Sequence, residues 1–236
     1  MARRTTAKGK AQGATGRQAK ARAQAKAAAD PVLVAMELAG KLGWQGVSLT
    51  DIAAESGMKL SELFPRYPSK TALVSAFMAW VDAEMLDQMA GEPADEPLRD
   101  RLFAAIMARF DALQPHREGV LAVARASARD PMAGLCLAAG PMRRSLDALL
   151  AAVGLPADGL AGAVRRKAVG AIYLAGFRAW SRDDSADMGP TMAALDRLLT
   201  RWLPLMERFE GRRRPPAAQN DGGARDGSGA AAMPAG

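Results

Sequence analysis

Residues 48–70 read SLTDIAAESGMKLSELFPRYPSK. Ser48 stands three residues before Asp51, which is the spacing of a capping box, where a hydroxyl and an acid satisfy free amides at a helix start. Gly57 supplies the left-handed backbone that a sharp turn needs. The apolar residues that follow at helical spacing are Leu60, Leu63 and Phe64. They predict a second helix with one buried face, and so a helix-turn-helix whose second helix can enter a DNA major groove.

A longer segment around this motif resembles the N-terminal DNA-binding domain of TetR-family transcriptional regulators. The resemblance runs without a gap over residues 34–74. Its matching pieces are AMEL (35–38), GW (43–44), VSLTDIA (47–53), SGM (56–58), LF (63–64), YPSK (67–70) and AL (72–73). It implies an all-α fold, in which a three-helix helix-turn-helix head precedes a larger helical domain for ligand binding and dimerisation.

The head is where we expect contacts with double-stranded DNA. The candidate residues are Thr50, Lys59, Ser61, Arg66, Tyr67 and Lys70. Most should contact phosphates and position the head, while Lys59 and Ser61 are the candidates for base edges. Three features depart from the family pattern. Residues 59–62 read KLSE where family members usually carry Ser-Lys-Gly-Thr. Glu62 brings a negative charge that suits a base only where it accepts from a cytosine amine, and Pro65 removes an amide late in the helix.

Charge is distributed unevenly along the chain, whose net charge is +7. Residues 1–29 carry eight basic residues and no acidic one, which leaves −1 for the remainder. Such a segment either holds DNA phosphates in a salt-dependent way or is a solvated extension, and both alternatives stay open. We expect disordered tails at 1–29 and 211–236, a DNA-binding head at 30–75 and a ligand-binding and dimerisation domain at 76–210.

Several function classes lack the residues they need. With one histidine, His116, and one cysteine, Cys136, a subunit cannot build a conventional zinc site or a Cys/His dyad. A phosphate-binding Gly-Lys-Ser/Thr loop is also missing. The longest run without charge, residues 131–142, is too short to span a bilayer, and the N-terminus lacks a signal-peptide core. We expect a cytoplasmic protein that is not an enzyme, with no cofactor or metal and no integral membrane association.

The C-terminal half predicts helices punctuated by proline and glycine, including a break at Gly140 and Pro141. The last helix, about residues 187–209, repeats apolar residues at steps of three and four, and the helix before it offers small residues. We expect these two helices to form a homodimer interface whose two heads match a palindromic operator; burial inside a monomer is the alternative. The predicted interface residues are Ala171, Ala175, Met192, Leu195, Leu199, Trp202 and Met206.

The TetR resemblance also implies a ligand pocket in the second domain. Its candidate lining residues are Met107, Phe110, Leu121, Leu135, Met142, Leu146, Tyr173 and Phe177. Flexible apolar side chains of this kind suit a hydrophobic small molecule or a lipid, and ordinary core packing is the alternative for each of them. The expected function is that of a homodimeric repressor that such a ligand releases or modulates.

A second resemblance supports a different function. Residues 179–188, AWSRDDSADM, together with Thr191 and LDRL at 195–198, resemble the C-terminal part of TetR-fold accessory proteins of ubiquinone biosynthesis. Those proteins bind lipids and do not regulate through DNA. The alternative is therefore a lipid- or isoprenoid-binding accessory protein that does not read DNA. The N-terminal match is the longer of the two, and it favours the regulator.

Overall fold

The computed structural model describes residues 29–91, 93 and 95–211, and every regular element in those ranges is helical. The helices are α1 (Pro31–Leu42), α2 (Leu49–Ser56), α3 (Leu60–Leu63), α4 (Lys70–Met89), α5 (Leu98–Leu113), α6 (Arg117–Arg129), α7 (Pro131–Leu137), α8 (Arg143–Ala152), α9 (Gly159–Trp180) and α10 (Gly189–Gly211). The predicted all-α class is confirmed. The tails predicted at 1–29 and 211–236 lie outside the described residues, except for Ala29 and Gly211.

Short polar side chains begin α1, α2 and α4. Asp30 accepts a hydrogen bond from the amide two residues later, at 2.8 Å. Ser48 accepts from the amide of Asp51 at 3.1 Å, and Ser69 accepts from the amide three residues on, also at 3.1 Å. Gly57 ends α2 with φ of 72°, the left-handed conformation that favours glycine. These caps satisfy amides that have no partner within the helix, and they explain why the helices begin where they do.

One continuous apolar core runs from the head into the second domain. Helix α4 belongs to both parts: Leu73 is buried near its start and Met85 near its end. Helix α4 packs against α1 in the head and against α5 and α8 in the second domain. The division at residues 75 and 76 therefore falls inside a single helix, and it remains a prediction about function.

Helices α1 and α6 cross closely at the junction between the two domains. A Cβ on Gly119 would lie 2.1 Å from the carbonyl oxygen of Met36, so only glycine permits this approach. The 3-10 turn Gln114–His116 leads into α6 and places His116 edge-on to Phe77 and Trp80, with ring centroids 5.5 Å away in each case. Burial lowers the pKa of His116, although the nearby negative charge of Glu37 opposes that shift. The head and the second domain are thus in direct contact at this junction.

The break predicted at Gly140 and Pro141 is wrong. The chain stays helical from α7 into α8 through a π turn, Ala138–Met142, with Pro141 buried inside it. A π turn shifts the hydrogen-bonding register by one residue, which accommodates a proline that has no amide to donate.

Part of the predicted dimer seam lies inside the protomer. Leu195 and Leu199 are fully buried within one chain because α10 packs against α9 and α5 of the same chain. For these two residues the structure agrees with the alternative prediction, which was burial inside a monomer. Ala171, Met192 and Trp202 are exposed and Ala175 is half-buried, while the side chain of Met206 lies outside the described residues.

Candidate nucleic-acid interface

The helix-turn-helix is held by a network confined to its own first half. The Asp51 carboxylate accepts from the Ser48 hydroxyl at 2.6 Å and from the Ser48 amide at 3.0 Å. The second bond completes the predicted capping box, and the two together, the hydroxyl bond most of all, lower the pKa of Asp51. Ile52 is fully buried, and Ser56 is buried with its hydroxyl donating to the Ile52 carbonyl at 2.7 Å. Because these contacts fix the direction of α2 and of the turn after it, they also fix where α3 begins.

Helix α3 is very short and buries only one of its side chains fully. Leu63 is fully buried, whereas Leu60 is 43% exposed and Phe64 is 52% exposed. The single buried face predicted for all three is therefore wrong for two of them. The helix spans four residues and gives way to a turn at Pro65, which leaves no second helical turn to press Leu60 and Phe64 onto the core.

Glu62 has a local structural role that its sequence position does not reveal. Its carboxylate accepts a hydrogen bond from the amide of Lys59 at 3.3 Å, at the start of α3. A carboxylate at a helix start is stabilised by the free amides there. The acid that departs from the family pattern is thus engaged with the backbone of its own helix.

The side chains predicted to contact DNA differ in their exposure to solvent. Thr50, Lys59, Ser61 and Arg66 are exposed. Tyr67 is half-buried and packs against the core. They lie on α2, in the turn before α3, on α3 or in the turn after it, so the motif presents them from consecutive segments. Their contacts with DNA stay a prediction.

Lys70 is occupied within the head. Its ammonium donates to the carbonyl of Trp44 at 2.5 Å and to that of Val47 at 2.9 Å, and it lies 4.8 Å from the centre of the Trp44 ring. Partial burial lowers its pKa. The side chain therefore ties the α1–α2 connection to the start of α4, and a contact with phosphate would have to compete with these bonds.

The head carries little positive charge of its own. Residues 29–70 contain five acidic and four basic residues, a net charge of −1. Since affinity for the DNA backbone comes mainly from cations placed near phosphates, this surface is poorly equipped to supply that affinity alone. In the sequence, the segment that directly precedes α1, residues 1–29, carries eight basic residues and no acidic one.

The predicted pocket residues differ in their burial. Met107, Phe110, Leu121 and Tyr173 are buried, and Met142, Leu146 and Phe177 are half-buried. Leu135 is 61% exposed, so its place in a buried pocket is wrong: the short α7 turns that side chain to solvent.

A polar cluster that the sequence reading missed lies among these residues. Arg109 is 1% exposed and forms an ion pair with Asp82 of α4. Its other nitrogens donate to the hydroxyls of Tyr173 and Ser145, both at 3.1 Å, and Ser145 donates to Asp82 at 2.7 Å. The sequence does contain a signal for the burial of Arg109, because this residue follows Leu102 and Ile106 at the spacing of one buried helix face.

The connection between α9 and α10 is organised by one buried carboxylate. Asp183 accepts from the amide and hydroxyl of Ser185 at 3.0 and 2.5 Å, and from those of Thr191 at 2.9 and 2.5 Å. Burial by itself would raise the pKa of Asp183, but these hydrogen bonds outweigh it and lower the pKa to about 2. Asp183, Ser185 and Thr191, which belong to the segment that carries the second resemblance, thus hold the α9–α10 connection in place.

Two general features of the described residues bear on function. Within residues 29–91, 93 and 95–211, no helix has both the length and the apolar character needed to cross a membrane. Over the same ranges, histidine, cysteine and acidic side chains form no group of three or more placed to hold a metal ion.

Comparisons with known proteins give a match in structure. No protein-family model matches the chain, and no curated protein matches it. The fold is similar to that of a TetR transcriptional regulator from Nitrosomonas europaea ATCC 19718, with 25% identity and a TM-score of 0.61 over 74% of this chain and 97% of that one. A TetR transcriptional regulator from Rhodococcus sp. RHA1 is similar at 17% identity and a TM-score of 0.56, over 77% and 96% of the two chains. A TetR-family regulator from Streptomyces coelicolor is similar at 16% identity and a TM-score of 0.50, over 78% and 84%.

These likenesses span both the head and the second domain, since each covers about three quarters of the chain. The chain therefore has the fold of the TetR-family regulators. The relation to accessory proteins of ubiquinone biosynthesis stays a prediction.

Proposed function

We propose that this chain, which has the TetR-family regulator fold, is a homodimeric DNA-binding transcriptional regulator that acts as a repressor. The observation that carries the proposal is the head itself. A capped α2, a left-handed Gly57 and a buried Leu63 hold α3 on the surface with its remaining side chains open to solvent. A helix held in this way suits entry into a major groove.

The exposed faces of α9 and α10 support a homodimer. Four apolar or small residues of α9 share one exposed face at helical spacing: Leu160, Val164, Ala171 and Leu174. On α10, which packs against α9, Met192 and Trp202 are exposed as well. Exposed apolar faces of this kind mark protein contacts, and a two-fold dimer would present two heads to a palindromic operator.

The arrangement of α4 supports control by a ligand. This helix begins beside the head at Lys70, and through Asp82 it reaches the buried cluster around Arg109. A hydrophobic small molecule that binds between α5, α8 and α9 would shift α4 and with it the spacing of the heads. The small molecule releases DNA only if its affinity is higher for the arrangement of heads that cannot bind DNA than for the arrangement that can.

Binding to DNA is the test. Purified full-length protein is mixed with its own upstream DNA at moderate salt, with unrelated DNA as competitor. We expect a specific complex that persists, with a smaller dependence on salt, when residues 1–29 are deleted, because each lost phosphate contact lowers the slope of affinity against salt. Complexes that competitor DNA removes, or that the deletion abolishes entirely, would contradict a head that reads sequence.

The homodimer has its own test. Leu174→Glu places a charge on the exposed face of α9, and light scattering should then report a monomer where the unaltered protein is a dimer. Leu42→Glu is the matched control, because Leu42 is an equally exposed leucine on α1. A dimer that tolerates Leu174→Glu would exclude this face.

A further inference from the structure

The exposed surface of α3 carries two apolar side chains. Leu60 and Phe64 lie four residues apart, which places them next to each other on one side of the helix. Both remain exposed although Leu63, between them in sequence, is fully buried. Phe64 keeps helical backbone angles, φ −59° and ψ −39°, so the pair continues the helical surface.

The charged groups of α3 lie away from this pair. At 3.6 residues per turn Glu62 falls on the opposite side of the helix from Leu60 and Phe64. Its carboxylate is bound to the amide of Lys59. The polar residue of α3 that lies next to the pair is Ser61, which is exposed and carries no charge. The side that α3 presents through Leu60 and Phe64 therefore lacks the guanidinium and amide groups that recognise guanine and adenine in pairs of hydrogen bonds.

One group in the major groove matches such a surface. Thymine carries a 5-methyl group there, and it is the apolar feature that distinguishes thymine from the other bases. We propose that Leu60 and Phe64 recognise thymine 5-methyl groups, so that each operator half-site has thymines at the positions that face α3. This inference rests on the proposed function and names the base chemistry that the head selects.

The position of the pair favours DNA over another apolar partner. Leu60 and Phe64 belong to the second helix of the motif, and exposed basic residues lie at both ends of the pair, Lys59 before it and Arg66 after it. Cations at these two positions can hold the phosphates on either side of a groove, while Leu60 and Phe64 face the bases.

Thymine-to-uracil exchange provides a direct test, because uracil lacks only the 5-methyl group. The full-length protein first selects its sites from a random pool of duplexes. Each selected thymine is then replaced by uracil and affinity is measured again. We expect a loss of about four-fold for each contacted methyl group, which corresponds to about 0.8 kcal/mol for one buried apolar carbon.

Protein variants connect that loss to the two side chains. Leu60→Ala and Phe64→Ala should each bind thymine and uracil equally well at the position they contact, while the unaltered protein discriminates. Leu42→Ala is the matched control, since Leu42 is 58% exposed on α1 and lies outside α3, and it should keep full discrimination. Because all three side chains are exposed, thermal unfolding should change little in every variant.

Each other outcome counts against the inference. Selected sites at which uracil is tolerated throughout would overturn it and leave the regulator function standing. Discrimination that survives in the Leu60→Ala, Phe64→Ala double variant would overturn it as well. A pool that yields no preferred sequence would overturn both the inference and the proposed function. Unchanged DNA affinity in the variants, with lost binding to phosphatidylglycerol vesicles, would assign the pair to a membrane surface.

Discussion

Arg109→Met should destabilise the protein by about 3–5 kcal/mol, because it leaves the carboxylate of Asp82 buried without its cation. The structure sets this magnitude. Arg109 is almost completely buried and Asp82 is buried as well, so water cannot replace the lost partner. The guanidinium also holds the hydroxyls of Tyr173 and Ser145, and the cluster therefore joins α4, α5, α8 and α9.

Three companion variants separate the causes of that loss. Tyr173→Phe removes one hydrogen bond and should cost about 1 kcal/mol. Asp82→Leu combined with Arg109→Met removes both charges, and stability should recover most of what the single variant loses, since apolar residues of similar volume can replace a buried ion pair. Arg144→Met changes an exposed arginine of α8 and should stay within about 0.5 kcal/mol of the unaltered protein.

The assay is urea unfolding followed by circular dichroism at pH 7, with every variant at one protomer concentration because a dimer's stability depends on it. Two results would refute the reasoning. A loss below about 1 kcal/mol for Arg109→Met would mean that Asp82 finds water or another partner. A double variant that loses as much stability as Arg109→Met alone, or more, would mean that removing Asp82 gives no relief and that the two charges are not coupled.

Three further predictions concern pH and packing. Asp183 has a lowered pKa of about 2, so the stability that it contributes is complete above its ordinary value near 4 and is lost as pH falls toward 2; Asp183→Asn should flatten acid unfolding in that range. His116 has a lowered pKa, so its neutral form is favoured by folding: stability should fall as pH drops below about 6.5, and His116→Phe should abolish that slope in thermal unfolding. Gly119→Ala forces a Cβ against the carbonyl of Met36 and should lower the free energy of unfolding by about 1–3 kcal/mol or more, whereas Gly140→Ala, with open space around it, should not.

Local signals in the sequence located most of the helix boundaries of the head. Ser48 and Asp51 form the predicted capping box, and Gly57 takes the predicted left-handed turn. Such features depend on hydrogen bonds and backbone angles within a few residues, and the sequence states those residues directly. The all-α class was implied by the resemblance of residues 34–74, and the structural matches confirm it.

The faces of the helices were harder to predict. Apolar spacing put Leu60 and Phe64 inside the head and Leu195 and Leu199 between subunits, yet the first pair is exposed and the second is buried within one chain. Periodicity identifies which residues share a face, but it does not identify what the face packs against. That choice depends on neighbours distant in sequence, such as the packing of α10 on α5.

The sequence alone thus determined the helix-turn-helix frame, the all-α class and the uneven charge of the chain, because each of these depends on local spacing or on composition. Only the tertiary structure decided that Arg109 meets Asp82 in the core, that Lys70 is occupied by backbone carbonyls, and that α3 turns an apolar pair to solvent. The physical reason is the same in each case. Partners brought together across 23 to 26 residues, as in the bonds of Lys70, are selected by the packing of whole helices, and no local pattern records that selection.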